Sequence, residues 1–172
     1  MALILPVRGF KPSFGKDCFL APNATVVGDV IMGDNCSVWF NAVIRGDVHS
    51  IRIGNNTNIQ DGAIIHCTYQ VASVSIGNSV SVAHSAIVHG CTIEDNVLIG
   101  MGAIVMDNAV VQSGAVVAAG AVVLQRTIVE AGWIYAGSPA KKLKPVPEEL
   151  AKALNRTAGN YIMYAGWFDK EE

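Results

Sequence analysis

Branched or apolar residues recur at every sixth position along most of this chain. Leu20, Val26, Met32, Val38 and Ile44 form one run, Ile53, Ile59 and Ile65 a second, and Ile76, Val82 and Val88 a third. Ile93, Ile99, Val105, Val111, Val117 and Val123 form a fourth. The runs are separated by steps of nine, eleven and five residues, and small residues fill much of the sequence between. A period of six fits neither an amphipathic helix nor an alternating strand. It predicts a mainly β fold, a single-stranded parallel β-helix in which three six-residue sides close one coil of about 18 residues. The aliphatic residue of each side points into the prism, and small residues turn the corners. Seventeen such positions predict between five and six coils.

The repeat predicts a β-helix over residues 1–146 and a C-terminal helix over 147–172 that lies along the prism or a neighbouring one. Gly, Ser and Pro in "GWIYAGSPAKKLKPVPEEL" end the coils. Pro147, Glu148 and Glu149 then suit the first turn of a helix, where a missing N–H costs nothing and carboxylates meet the positive end of the dipole. Leu150, Leu154, Tyr161, Ile162 and Ala165 mark its apolar stripe.

Composition narrows the partners. The formal net charge is −2 and only 15% of residues are charged, so no basic nucleic-acid surface is expected. Lys141, Lys142 and Lys144 read as a solvated turn. No run of about 18 apolar residues predicts a membrane span, and the N-terminus has no signal-peptide pattern. The four cysteines Cys18, Cys36, Cys67 and Cys91 are widely spaced, which suits reduced thiols in a cytoplasmic protein.

Three of the four histidines, His66, His84 and His89, fall within one short stretch. The repeat places them. His66 follows Ile65 and His89 follows Val88, one full coil apart, so they stack in one column. Coils are about 4.8 Å apart, and two imidazoles at that spacing can share a metal with bonds of about 2.0–2.1 Å. His84 projects from another face and reaches the pair only from a second subunit. A cyclic trimer would make three such sites. Arg45 lies in the column of His66 and His89. Asp61 lies in the column of His84, with Gln60 beside it. An Arg45–Asp61 contact across the interface would be charge-assisted. Met101 and Met106 continue the two columns as an apolar wall. The competing reading is of three ordinary surface or core histidines. Cys67, next to His66, reads as buried filler or as a fourth ligand, and His49 as a surface residue near the rim of the cleft.

"NAVIRGDVHSIRIGNNTNIQDGAIIH" followed by "IGNSVSVAHSAIVHGCTI" is similar to the γ-class carbonic anhydrases, and the similarity runs on through "AGSPAKKLK" to the terminal helix. The resemblance implies a homotrimer of left-handed β-helices with Zn²⁺ at each interface, held by His66 and His89 of one subunit and His84 of the next. Fe²⁺ or Co²⁺ would also suit imidazole ligands. By the same resemblance Arg45 and Asp61 pair, with Asp47 between chains or coils. Asn58 and Gln60 orient the metal-bound water. Tyr161 of the helix approaches the metal, Tyr164 being the second match; the alternative is that Tyr161 only packs on the prism. Two positions depart from the family pattern. Val48 stands where an acidic residue follows the RGD, and "CTYQVASVS" lacks the acidic proton-shuttle loop.

The implied activity is reversible hydration of CO₂ to bicarbonate by a metal-bound hydroxide, with Gln60 holding the hydroxide and Arg45, Asp47 and Asp61 fixing the interface and ligand geometry. Three other readings stand beside it. One is a metal-dependent hydrolase such as a thioesterase. Another is a hexapeptide-repeat acyltransferase, which uses one histidine and no metal triad. The last is a scaffold trimer with a structural metal.

Overall fold

The computed structural model describes residues 1–168; the last four positions assigned to the helical segment, 169–172, lie outside the described residues. The chain winds into a parallel β-solenoid of about seven turns. The first face stacks Leu3–Leu5, the starts of Thr25–Met32 and Val43–Ile53, then Ile64–His66, Ile87–His89, Ile104–Val105 and Val122–Val123. The second face stacks Ser13–Phe14, the ends of the same two long strands, then Val74–Ile76, Thr92–Ile93, Val110–Val111 and Ile128–Val129. The third runs from Phe19–Leu20 through Asn58–Ile59 and Ser81–Val82 to Trp133–Ala136.

The expected count of five to six coils was too low at both ends. Val129 and Tyr135 continue the six-residue step beyond Val123 and are buried in the same core. At the start, Ile4 pairs with Val26 and Phe14 with Met32, completing a coil whose spacing is broken by the Val7–Phe10 bridge.

Along the first face Val26, Ile44, Ile65, Val88, Val105 and Val123 are all 0% exposed. These β-branched side chains suit the strand conformation and fill the prism without polar atoms. One corner is held by a ladder of side-chain amides and carboxylates. Asp34 Oδ1 accepts from the Lys16 N–H, Asn55 Oδ1 from Asp34, Asn78 Oδ1 from Asn55 and Asp95 Oδ1 from Asn78, at 2.7–2.8 Å. The ladder satisfies backbone donors that a turning strand leaves unpaired.

A helix, α1 (Glu148–Phe168), covers the third face. Its 21 residues span about 31 Å, close to the roughly 29 Å of six coil spacings. Leu150 and Leu154 pack with Val116 and Ile134 near the last coils, and Phe168 lies 5.3 Å from Phe19 at the first. The helix therefore runs back along the prism. Its buried stripe includes Leu154, Ala158 and Ala165, while Ile162, expected to face inward, is 39% exposed. The Lys141–Pro145 segment is an antiparallel edge strand on Trp133–Ala136 and not a turn. Lys142 bonds Glu130 at 2.5 Å and sits 3.8 Å over the Trp133 ring.

Candidate metal centre

The ladder registers Arg45 with His66 and His66 with His89, so the three side chains leave the first face in one column. The His66 and His89 rings stand 5.1 Å apart between centroids, and His66 Nδ1 lies 3.1 Å from His89 Nε2. Each ring has a carboxylate on its other nitrogen: His66 Nε2 is 3.2 Å from Asp47 Oδ1, and His89 Nδ1 is 2.6 Å from Asp107 Oδ1. Arg45 donates to Asp47 Oδ2 at 2.5 Å. Asp47 thus bridges Arg45 and His66 within one chain. Burial works to raise the Asp47 carboxyl, but the Arg45 and His66 hydrogen bonds outweigh it and hold it below the usual carboxylate value. Burial, then the Arg45 charge, lowers His66, which favours the neutral imidazole.

The glycine of the RGD has a steric reason. A Cβ on Gly46 would come within 2.7 Å of the Asp29 carbonyl oxygen in the coil below. Gly46→Ala is expected to lower stability by about 1–3 kcal/mol and to move Arg45 and Asp47 with the backbone. Urea denaturation checks the first effect; a stability equal to wild type would show that the coils separate freely there.

The second group lies on the third face. His84 Nδ1 is 2.9 Å from Asp61 Oδ2, leaving Nε2 directed elsewhere, and both side chains are more than 40% exposed. Beneath them Gln60 Nε2 donates to Asn58 Oδ1, and Asn58 Nδ2 to Ser81 Oγ, both at 2.9 Å. Gln60 and Asn58 are buried. Trp39, Phe40, Tyr161, Tyr164, Trp167 and Phe168 line a cavity of about 340 Å³ that opens beside Asp61 and His84. Tyr161 meets Trp39 edge-on at 5.4 Å. Burial pushes its hydroxyl up to about 12, so it remains a neutral donor at physiological pH.

One chain therefore collects Arg45, Asp47, His66 and His89 in one place and Asn58, Gln60, Asp61, His84 and Tyr161 in another. Among the described residues, no three His, Cys, Asp or Glu groups of a single chain converge to hold a metal. Cys67 belongs to the core, with burial pushing its thiol up to about 11, and His49 lines a separate cavity with Arg8, Arg52 and Tyr69. Met101 is 61% exposed in the His84 column, and Met106 lines a cavity with His89. Asp107 was not found from sequence. The repeat nonetheless places it: Cys67, Gly90 and Asp107 each stand two after an inward residue in successive coils. In this column Gly90 leaves open the space beside His89.

The family model for bacterial transferase hexapeptide repeats matches residues 11–46 and 90–125. A carbonic anhydrase of Geobacillus kaustophilus is 38% identical over 93% of this chain and 87% of its own length. The mitochondrial γ carbonic anhydrase 2 of Arabidopsis thaliana is 42% identical over 90% of this chain, which spans 58% of that protein. Among solved structures, a hexapeptide transferase family protein from Anaplasma phagocytophilum is 40% identical, with a TM-score of 0.93 over 96% of this chain and 98% of that one. Among the described residues no helix is long and apolar enough to cross a membrane.

Proposed function

Because the chain belongs to the γ-class carbonic anhydrase family of hexapeptide-repeat proteins, we propose that it reversibly hydrates CO₂ to bicarbonate at zinc centres shared between the subunits of a cyclic homotrimer. The observation that carries this reading is the His66–His89 pair. Their facing nitrogens are 3.1 Å apart, close to the roughly 3.3 Å that two ligands on a tetrahedral zinc require. His84, on a different face, supplies the third imidazole from the neighbouring subunit. Arg45 holds Asp47 and Asp61 holds His84 within the chain, yet both are more than 40% exposed on their own faces, and the remaining guanidinium donors and Asp61 Oδ1 leave room for a pair across the same boundary.

When bound, Zn²⁺ lowers the pKa of a coordinated water to about 7 and so supplies a nucleophile at neutral pH. The chain's own groups do the rest. Asp47 and Asp61 accept from the outer nitrogens of His66 and His84 and so orient both rings. The Asn58–Gln60 pair, locked by Ser81, holds a fixed amide beside the site. Met101 and Met106 keep one wall apolar, which suits a nonpolar substrate. Imidazole ligands also accept Fe²⁺ or Co²⁺.

Stopped-flow CO₂ hydration tests the proposal, with zinc- and ferrous-loaded protein against a His89→Ala blank. Hydration that disappears in the variant supports it. A metal-loaded trimer no faster than the blank overturns it. The 340 Å³ aromatic cavity beside His84 is larger than CO₂ needs and favours, as the second reading, a metal-dependent hydrolase of thioesters; acyl-thioester cleavage by the same loaded protein is its assay.

A further inference from the structure

We infer that Asp107 is a positioning residue for the metal centre, fixing His89 in the tautomer that keeps the proton on Nδ1 and presents Nε2 to the metal. This rests on the reading of His66 and His89 as ligands to one metal.

The geometry is specific. Asp107 Oδ1 lies 2.6 Å from His89 Nδ1. An ionised carboxylate only accepts, so the nitrogen facing it must carry the hydrogen. The other oxygen is held as well: Thr68 Oγ1 donates to Asp107 Oδ2 at 2.6 Å. With both oxygens engaged, the carboxylate cannot rotate without losing a bond. Its side chain is 14% exposed against 35% for His89, so the contact is made away from bulk water.

Two further features converge on this contact. A Cβ on Gly90 would stand 2.4 Å from Asp107 Oδ1 and 2.8 Å from the Ala72 Cβ, so the glycine after His89 is what lets the carboxylate approach. Thr68 comes from the short segment after His66, which is closed on itself by hydrogen bonds between Thr68 and Ala72. That segment lacks an acid, yet it anchors one that arrives from two coils away. The pair is thereby flanked on both sides, Asp47 on His66 and Asp107 on His89. Carboxylates in this position raise ligand basicity and fix ring orientation, and losing one typically weakens metal binding about 10- to 100-fold.

A purely structural role is separable. The Asp107 backbone oxygen accepts from the Arg126 N–H at 3.1 Å, a bond that substitution of the side chain leaves intact. Metal-free full-length protein would be titrated with Co²⁺ against a competing chelator while its visible d–d absorption is followed. Wild type, Asp107→Ala, Asp107→Leu, Thr68→Val and His89→Ala would be compared, with Asp107→Asn, which keeps an acceptor oxygen, expected to retain most of the affinity, and the metal-free melting temperature of each recorded. The expected result is a Co²⁺ affinity about 10- to 100-fold lower in Asp107→Ala, with an altered band, and a loss of a few-fold in Thr68→Val. Wild-type affinity and spectrum in Asp107→Ala would overturn the inference. If that variant does not fold, unchanged binding by Asp107→Leu, which keeps bulk but has no acceptor for the His89 Nδ1 hydrogen, would overturn it equally. Wild type that binds no more Co²⁺ than His89→Ala would remove the metal reading itself, and this inference with it.

Discussion

Trimers reassembled from equal amounts of His84→Ala and His89→Ala chains are expected to recover about a quarter of the wild-type CO₂ hydration rate. Each variant alone is expected to fall further than the roughly 10- to 100-fold that loss of an outer partner costs, because on the proposed reading a ligand itself is gone from every site. The recovery follows from where the side chains stand. His66 and His89 share a column on the first face, and His84 leaves the third. A site between two subunits is therefore intact when the first-face partner keeps His89 and the third-face partner keeps His84. Random assembly makes about three-quarters of the trimers mixed, and each mixed ring contains one such site in three. Native mass spectrometry would establish the mixing, and stopped-flow hydration the recovery. Mixed rings that remain as slow as the single variants would show that the three histidines do not act across a subunit boundary.

Ile65→Ala is expected to cost about 2–5 kcal/mol. Ile65 is 0% exposed and stacks inside the prism between Ile44 and Val88. Its truncation leaves a cavity that the coils above and below cannot close, because their spacing is set by the hydrogen-bonded ladder. The loss also falls one residue before His66, so the strand that aims this side chain loosens with it. Urea unfolding reads the cost. Val71→Ala, in a loop and 65% exposed, is the comparison, with an expected change within about 0.5 kcal/mol. An Ile65→Ala midpoint as mild as that of Val71→Ala would contradict the inward assignment of the column.

The solenoid was legible because its period is also its geometry. Six residues per side make each inward position stack on a known earlier one, so the period alone assigns Arg45, His66 and His89 to one column, the register the ladder shows. The same rule paired Asp61 with His84. It faltered where the period is interrupted. The bridge between Val7 and Phe10 hid the first coil, and Val129 and Tyr135, in step with Val123, extend the core past the counted end.

The six-residue period alone sets the column and face of each polar residue, since parallel stacking leaves no freedom in register once the inward residues are known. Which neighbours in those columns touch is settled only in the folded chain. Asp47 turns to its own chain's Arg45 and His66. Asp107 reaches His89 and Thr68, the latter 39 residues distant. Ile162 faces outward because α1 must set Ala158, Tyr161 and Ala165 against the third face. These outcomes depend on side-chain rotamers and on how corner segments of unequal length close, and a period carries no information about either.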